Sequence, residues 1–139
     1  MNLSEDLYIA KNHLVNNKMK IAIVSNSCVL HSSDQNGILF LKKLYFEGLD
    51  FSSASIADKV VGSAAAWIII LLQIKNIYAD LISKRALFIL SDNCNNLEFK
   101  NKTDFIFNKE KNDICPMEKK FISVNTLEDA ITELNKLRS

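Results

Sequence analysis

The chain has 139 residues and only one proline, three glycines, three cysteines, two histidines and one tryptophan. So little proline and glycine leaves no material for a long flexible linker, which favours one domain spanning residues 1–139. The cysteines, Cys28, Cys94 and Cys115, are odd in number and far apart. No pair forms C-x-x-C, and His13 and His31 complete no metal-ligand pattern, so neither a disulfide framework nor a structural zinc site is expected. Reduced thiols in a cytoplasmic protein are the simpler expectation. Net charge is +1, too small to draw nucleic acid or an anionic membrane. The longest apolar run, Ala64–Leu72, is far below the ~20 residues that span a bilayer. The N-terminus, with Glu5 and Asp6, lacks the basic start of a signal peptide.

What remains is ordinary globular composition, with 48% hydrophobic residues, enough to bury a core. Ser4 can cap a first helix reaching about Asn17, with Leu7, Ala10, Leu14 and Val15 as its buried face. Lys20–Ser25 and Cys28–Ser32 read as strands joined by a hairpin at Asn26-Ser27. Asp34–Gly37 is a turn, Ile38–Glu47 is a helix, and Gly48 is its stop. Ser55 and Asp58 make the S-x-x-D spacing of a capping box, which predicts one central helix over Ser55–Gln73. Asn76–Ile82 is a core strand, and Ser83 caps a helix to about Asp92. Leu97–Phe99 and Phe105–Asn108 are short strands. Cys115-Pro116 opens a helical turn, and Thr126 caps a last helix with Leu127, Ala130, Ile131, Leu134 and Leu137 on its apolar side. That last face covers the sheet or serves a homo-oligomer. Alternating helices and strands argue for a three-layer α/β/α sandwich with a mixed sheet.

On the predicted central helix, Lys59 falls near the start, and Lys84 and Arg85 occupy the first turn of the helix after Ser83. Cations are disfavoured there by the helix dipole. A bound anion where these starts meet would account for them, since free N–H groups at a helix start bind phosphate or carboxylate. The competing possibility is that all three are solvated surface, with Asp58 only capping. Cys115 beside Pro116 would sit at a helix start, where a thiol is more acidic. Glu118, three residues on, could bond back to that start or accept a proton. His31 is the one imidazole that could approach Cys115 in space. Trp67 and Tyr78 read as core aromatics.

Ala57-Asp58-Lys59-Val60-Val61-Gly62, Ala64-Ala65-Ala66, Tyr78-Ala79, Ile82-Ser83 and Ile114-Cys115-Pro116-Met117-Glu118 carry a family likeness. They resemble the signatures ADKVVG and CPME of an uncharacterised prokaryotic family of unknown function, over roughly Ile21 to Phe121. The resemblance implies a cytidine-deaminase-like fold, and no known activity. Zinc deaminases need H-x-E and P-C-x-x-C at two helix starts. Here those places read Ala57-Asp58-Lys59 and Ser83-Lys84-Arg85, so no zinc and no other cofactor is implied. Where the family has Glu-Pro after Ile82-Ser83, this chain has Lys84-Arg85.

Three functions compete. The first is a zinc-independent domain that binds a small anionic or nucleotide-like ligand at Asp58, Lys59, Ser83, Cys115 and Glu118. The second is an enzyme with Asp58 or Glu118 as general base, or Cys115 as nucleophile. The third is a non-catalytic interaction or oligomerisation domain.

Overall fold

The computed structural model describes residues 3–35, 37–107 and 110–137, with the side chains of Leu3 and Ser4 outside that set. The expected Ser4 cap, and Asn36 and Asn108 of the expected turn and strand, therefore lie outside the described residues. In chain order the elements are α1 (Leu3–Asn16), β1 (Ile21–Ser25), β2 (Cys28–Ser33), α2 (Gly37–Phe46), β3 (Ser55–Val61) and α3 (Ser63–Leu71). Then come β4 (Asn76–Ser83), α4 (Lys84–Ser91), β5 (Asn96–Thr103), α5 (Pro116–Phe121) and α6 (Leu127–Asn135).

The five strands form one mixed sheet in the order β2-β1-β3-β4-β5. β1 runs antiparallel to β2 and β3, while β3, β4 and β5 are parallel. Helix α1 covers one face, setting Ala10 and Leu14 on Ala22, Val24 and Ala57. The other face carries the larger core, where α2, α3 and α4 pack over Ile21, Ile23, Ile56, Ile77 and Ile82. The result is a three-layer α/β/α sandwich.

The β1–β2 turn consists of Asn26 and Ser27, with φ of 53° and 64°. Two successive positive φ values are those of a type I′ turn, whose twist suits a two-residue hairpin. Buried Asp6 fastens it from α1, accepting the N–H groups of Ser27 at 2.8 Å and Asn26 at 3.2 Å.

The largest departure from the sequence reading is at Ser55–Gln73. It is not one helix. Ser55–Val61 is a strand, and the helix starts only at Ser63, with Gly62 as its N-cap residue. Ser55 pairs with Val24 on one side and Asn76 on the other, so it is a strand residue and not a helix N-cap. Ile56, Val60 and Val61 are β-branched, and the segment is hydrogen-bonded to strands on both flanks. Those pairings outweigh a three-residue spacing that looks like a cap. Nor is Lys59 at a helix start.

Smaller differences have equally local causes. Val15 is exposed, not buried, and Leu127 is exposed on α6. The strand expected at Leu97–Phe99 extends over Asn96–Thr103, because the whole length pairs with β4. Over residues 105–107 of the strand expected at Phe105–Asn108 there is a single bridge, from Phe107 to Ile114.

Candidate functional site

The carboxyl end of β3, the first residues of α2 and α3, and the segment leading into α5 enclose a cleft of about 770 Å³. It lies where open α/β sheets usually bind ligands, beyond the carboxyl end of a strand. Asp58, Lys59, Cys115 and Glu118 line it together, although 60 residues separate the first from the last. Ile38, Leu39, Ile106, Phe107 and Met117 give it apolar walls, and Lys20 adds a second exposed cation beside Lys59. Neither lysine is held in an ion pair among the described residues. Sequence reasoning missed Lys20 because its place depends on β1 pairing with β3, where the Lys59 N–H donates to the Lys20 carbonyl at 2.9 Å.

Asp58 shares a face of β3 with Ile56, under the helical layer, and is 2% exposed. One carboxyl oxygen, Oδ1, accepts the N–H of Val60 at 3.3 Å. The other, Oδ2, is buried and has no hydrogen-bond partner among the described residues. Burial pushes its pKa from 3.8 to about 7, against the backbone N–H groups of Val60 and Lys59, and nearby Asp80 adds a smaller push upward. Gly37, the first residue of α2, lies directly on this carboxyl. A β-carbon there would stand 2.9 Å from Oδ1 and 3.0 Å from Oδ2.

Glu118 is also buried, and its carboxylate reaches back to the start of α3, where Oε1 accepts the N–H of Ser63. Burial raises this pKa, and the Ser63 and Ala64 N–H groups oppose the rise. Gly62 has no side chain to fill the place the carboxylate takes; a β-carbon there would collide with Oε1. The start of α3 thus has an anion already, and it is part of the chain.

The cations expected to mark an anion site at the helix starts are engaged or placed differently. Lys59 sits on a strand. Lys84 pairs with Asp104 at 2.7 Å, and Arg85 donates to the Val124 carbonyl at 2.7 Å. Ser83 does not line the cleft. It is wholly buried and caps α4, its hydroxyl accepting the Ala86 N–H at 3.1 Å. Cys115 is the N-cap residue of α5, with Pro116 at the first helical position, and is partly exposed. No histidine lines the cleft; His31 packs instead against the rings of Phe40 and Phe51. Trp67 is buried in the larger core, and Tyr78 packs beneath α1. Among the described residues, no three His, Cys, Asp or Glu side chains are grouped so as to hold a metal ion. Nor is any helix among them long and apolar enough to cross a membrane.

Fold and cleft together define a three-layer α/β domain with an apolar-walled cleft at the carboxyl end of its sheet. The chain belongs to the family described as a domain of unknown function, DUF1893, whose model matches residues 9–137. No curated protein matches it. Among solved structures it is similar to the DUF1893 family protein TM1506 from Thermotoga maritima, with a TM-score of 0.88 and 21% identity. That match covers 99% of this chain and 93% of the other, so the two share a fold.

Proposed function

We propose that this protein is a zinc-independent domain that binds a small nucleotide-like ligand in the cleft between β3, α2, α3 and the approach to α5. The observation that carries the reading is the cleft itself. Its volume of about 770 Å³ falls in the range of small-molecule sites, roughly 300–1,000 Å³. Its walls are mainly apolar, its buried polar groups are few, and two lysines outside any ion pair among the described residues stand at its exposed side. In this reading the ligand's ring packs on the apolar wall that includes Ile38 and Phe107, and its anionic group lies beside Lys20 and Lys59. This moves the anion from the helix starts to the lysines, since Glu118 already serves the start of α3. A cytidine-deaminase-like arrangement enters this reading on the sequence resemblance alone, since Ala57, Asp58 and Lys59, likened to a helix-start H-x-E, lie on β3.

A catalytic role for the same cleft has one observation in its favour. A carboxyl held near 7, as at Asp58, suits a general base at neutral pH. Cys115 as nucleophile has no imidazole beside it.

A thermal-shift panel of nucleosides, nucleotides and inorganic phosphate tests the binding reading. Nucleotides should raise the melting temperature, and Lys20→Ala and Lys59→Ala should each weaken nucleotides while leaving nucleosides unchanged. No shift with any compound at millimolar concentration overturns it.

A further inference from the structure

Several buried side-chain atoms lack a hydrogen-bond partner among the described residues, but only Asp58 Oδ2 belongs to a residue lining the cleft. Leaving a buried acceptor without a donor is costly, and native proteins keep few such groups. Among the described residues no donor reaches it: the Lys59 N–H opposes the rise in pKa but donates to the Lys20 carbonyl at 2.9 Å, and cleft-lining Gln35 makes no hydrogen bond to it. The Val60 N–H is spent on Oδ1 at 3.3 Å. Gly37, which covers the carboxyl, has no side chain to offer. Of the other lining residues, Ile38, Val60 and Ala64 are aliphatic and have no side-chain donor. Lys59, the next residue, is exposed and on the alternate face of the strand. Glu118 shows the contrast: the same cleft holds a second buried carboxylate, and there the backbone of α3 provides the donor.

We infer that Asp58 determines the specificity of this cleft, with Oδ2 accepting a hydrogen bond from the N–H of an exocyclic amine on the ligand. The inference rests on the cleft being the ligand site proposed above. It adds a polarity to it: the donor end of the ligand lies at Asp58 and the anionic end at Lys20 and Lys59. A ligand without the N–H would leave Oδ2 unsatisfied in a site now closed to water. Discrimination of that kind is much stronger than discrimination by shape in an apolar pocket.

Matched ligand pairs that differ in one amino group test it. Adenosine 5′-monophosphate is compared with purine riboside 5′-monophosphate, and cytidine 5′-monophosphate with 2-pyrimidinone riboside 5′-monophosphate. Titration calorimetry at pH 8, where Asp58 is ionised, should show the amino member of at least one pair binding tenfold tighter or more. Asp58→Ala should bring that ratio to about one, and Asp58→Asn should shrink it several-fold, with circular dichroism confirming that each variant is folded. The wild-type comparison stands even if Asp58→Ala does not fold. Equal binding within both pairs, or an undiminished ratio in a folded variant, overturns the role of Asp58 and leaves the ligand site standing. Binding by none of the four overturns both.

Discussion

At Gly62 the lack of a β-carbon decides how α3 begins. The Glu118 carboxylate occupies the space a side chain would take, and it holds the Ser63 N–H. Gly62→Ala should therefore lower stability by about 1–3 kcal/mol, the usual cost of crowding a packed site. In Glu118→Ala the obstacle is gone but the cap is lost as well, at about 0.5–2 kcal/mol. The double variant should cost clearly less than the sum of the two, because the collision needs both partners. Urea denaturation of the four proteins measures this; strict additivity would mean that the two residues do not meet. Asp58 makes a different prediction, in pH. Its pKa is higher folded, at about 7, than its ordinary 3.8. The folded state then binds more protons than the unfolded state between those values, so stability falls as pH rises from about 4 to 7. The ceiling on that loss is on the order of 4 kcal/mol, taking 1.36 kcal/mol per pH unit. Asp58→Asn has no proton to lose. It should match wild type near pH 4, exceed it at pH 8, and show a flatter denaturation midpoint across the range. A parallel pH profile for the two proteins would mean that Asp58 does not titrate abnormally.

Among the elements, helix starts were legible wherever the cap is local in sequence. Ser83 accepts the Ala86 N–H at 3.1 Å and Thr126 accepts that of Asp129 at 3.1 Å, both three residues on, as their spacing predicts. Ser83→Ala and Thr126→Ala should each cost about 0.5–2 kcal/mol, with buried Ser83 at the upper end because its loss leaves the Ala86 N–H without a partner or water. A larger loss for exposed Thr126 than for Ser83, read by thermal denaturation, would contradict the ordering. The start of α3 was illegible for the converse reason. Its cap comes from Glu118, 55 residues from Ser63, and nothing near Gly62 in the sequence announces it. Ser55 and Asp58 offered a false cap instead. A Ser and an Asp three residues apart occur in strands as well as at caps, and only pairing with β1 and β4 reveals the segment as a strand. The hairpin was the opposite case: Asn26-Ser27 is a turn on local grounds, and Asp6 merely fastens it.

On the scale of the whole molecule, the cleft depends on residues that never touch it. Asp58, Lys59, Cys115 and Glu118 could be named from sequence as candidates, because their types carry chemistry. That they share one cleft while Ser83 does not follows from strand order and from the packing of α5. Helix α5 is only six residues long, too short to be stable by itself. What holds it is the core: Phe121, Val124, Ala130 and Leu134 are all buried in the cluster that also contains α3. Helix α6 is thus the support for the segment that presents Cys115 and Glu118. Leu134→Ala should cost about 2–5 kcal/mol, as buried leucines do. Its effect on thiols should be uneven. Cys28 on β2 is exposed and should react as before. Cys94, between α4 and β5, is partly buried against the same core with its thiol pKa pushed up by burial, and it belongs to neither α5 nor α6. Cys115 should gain reactivity most, since loosening α5 exposes it by local opening rather than global unfolding. Alkylation followed by mass spectrometry gives the three rates relative to wild type. Equal acceleration at Cys94 and Cys115 would mean that the domain opens as a unit, and that α6 does not support the cleft separately from the rest of the fold.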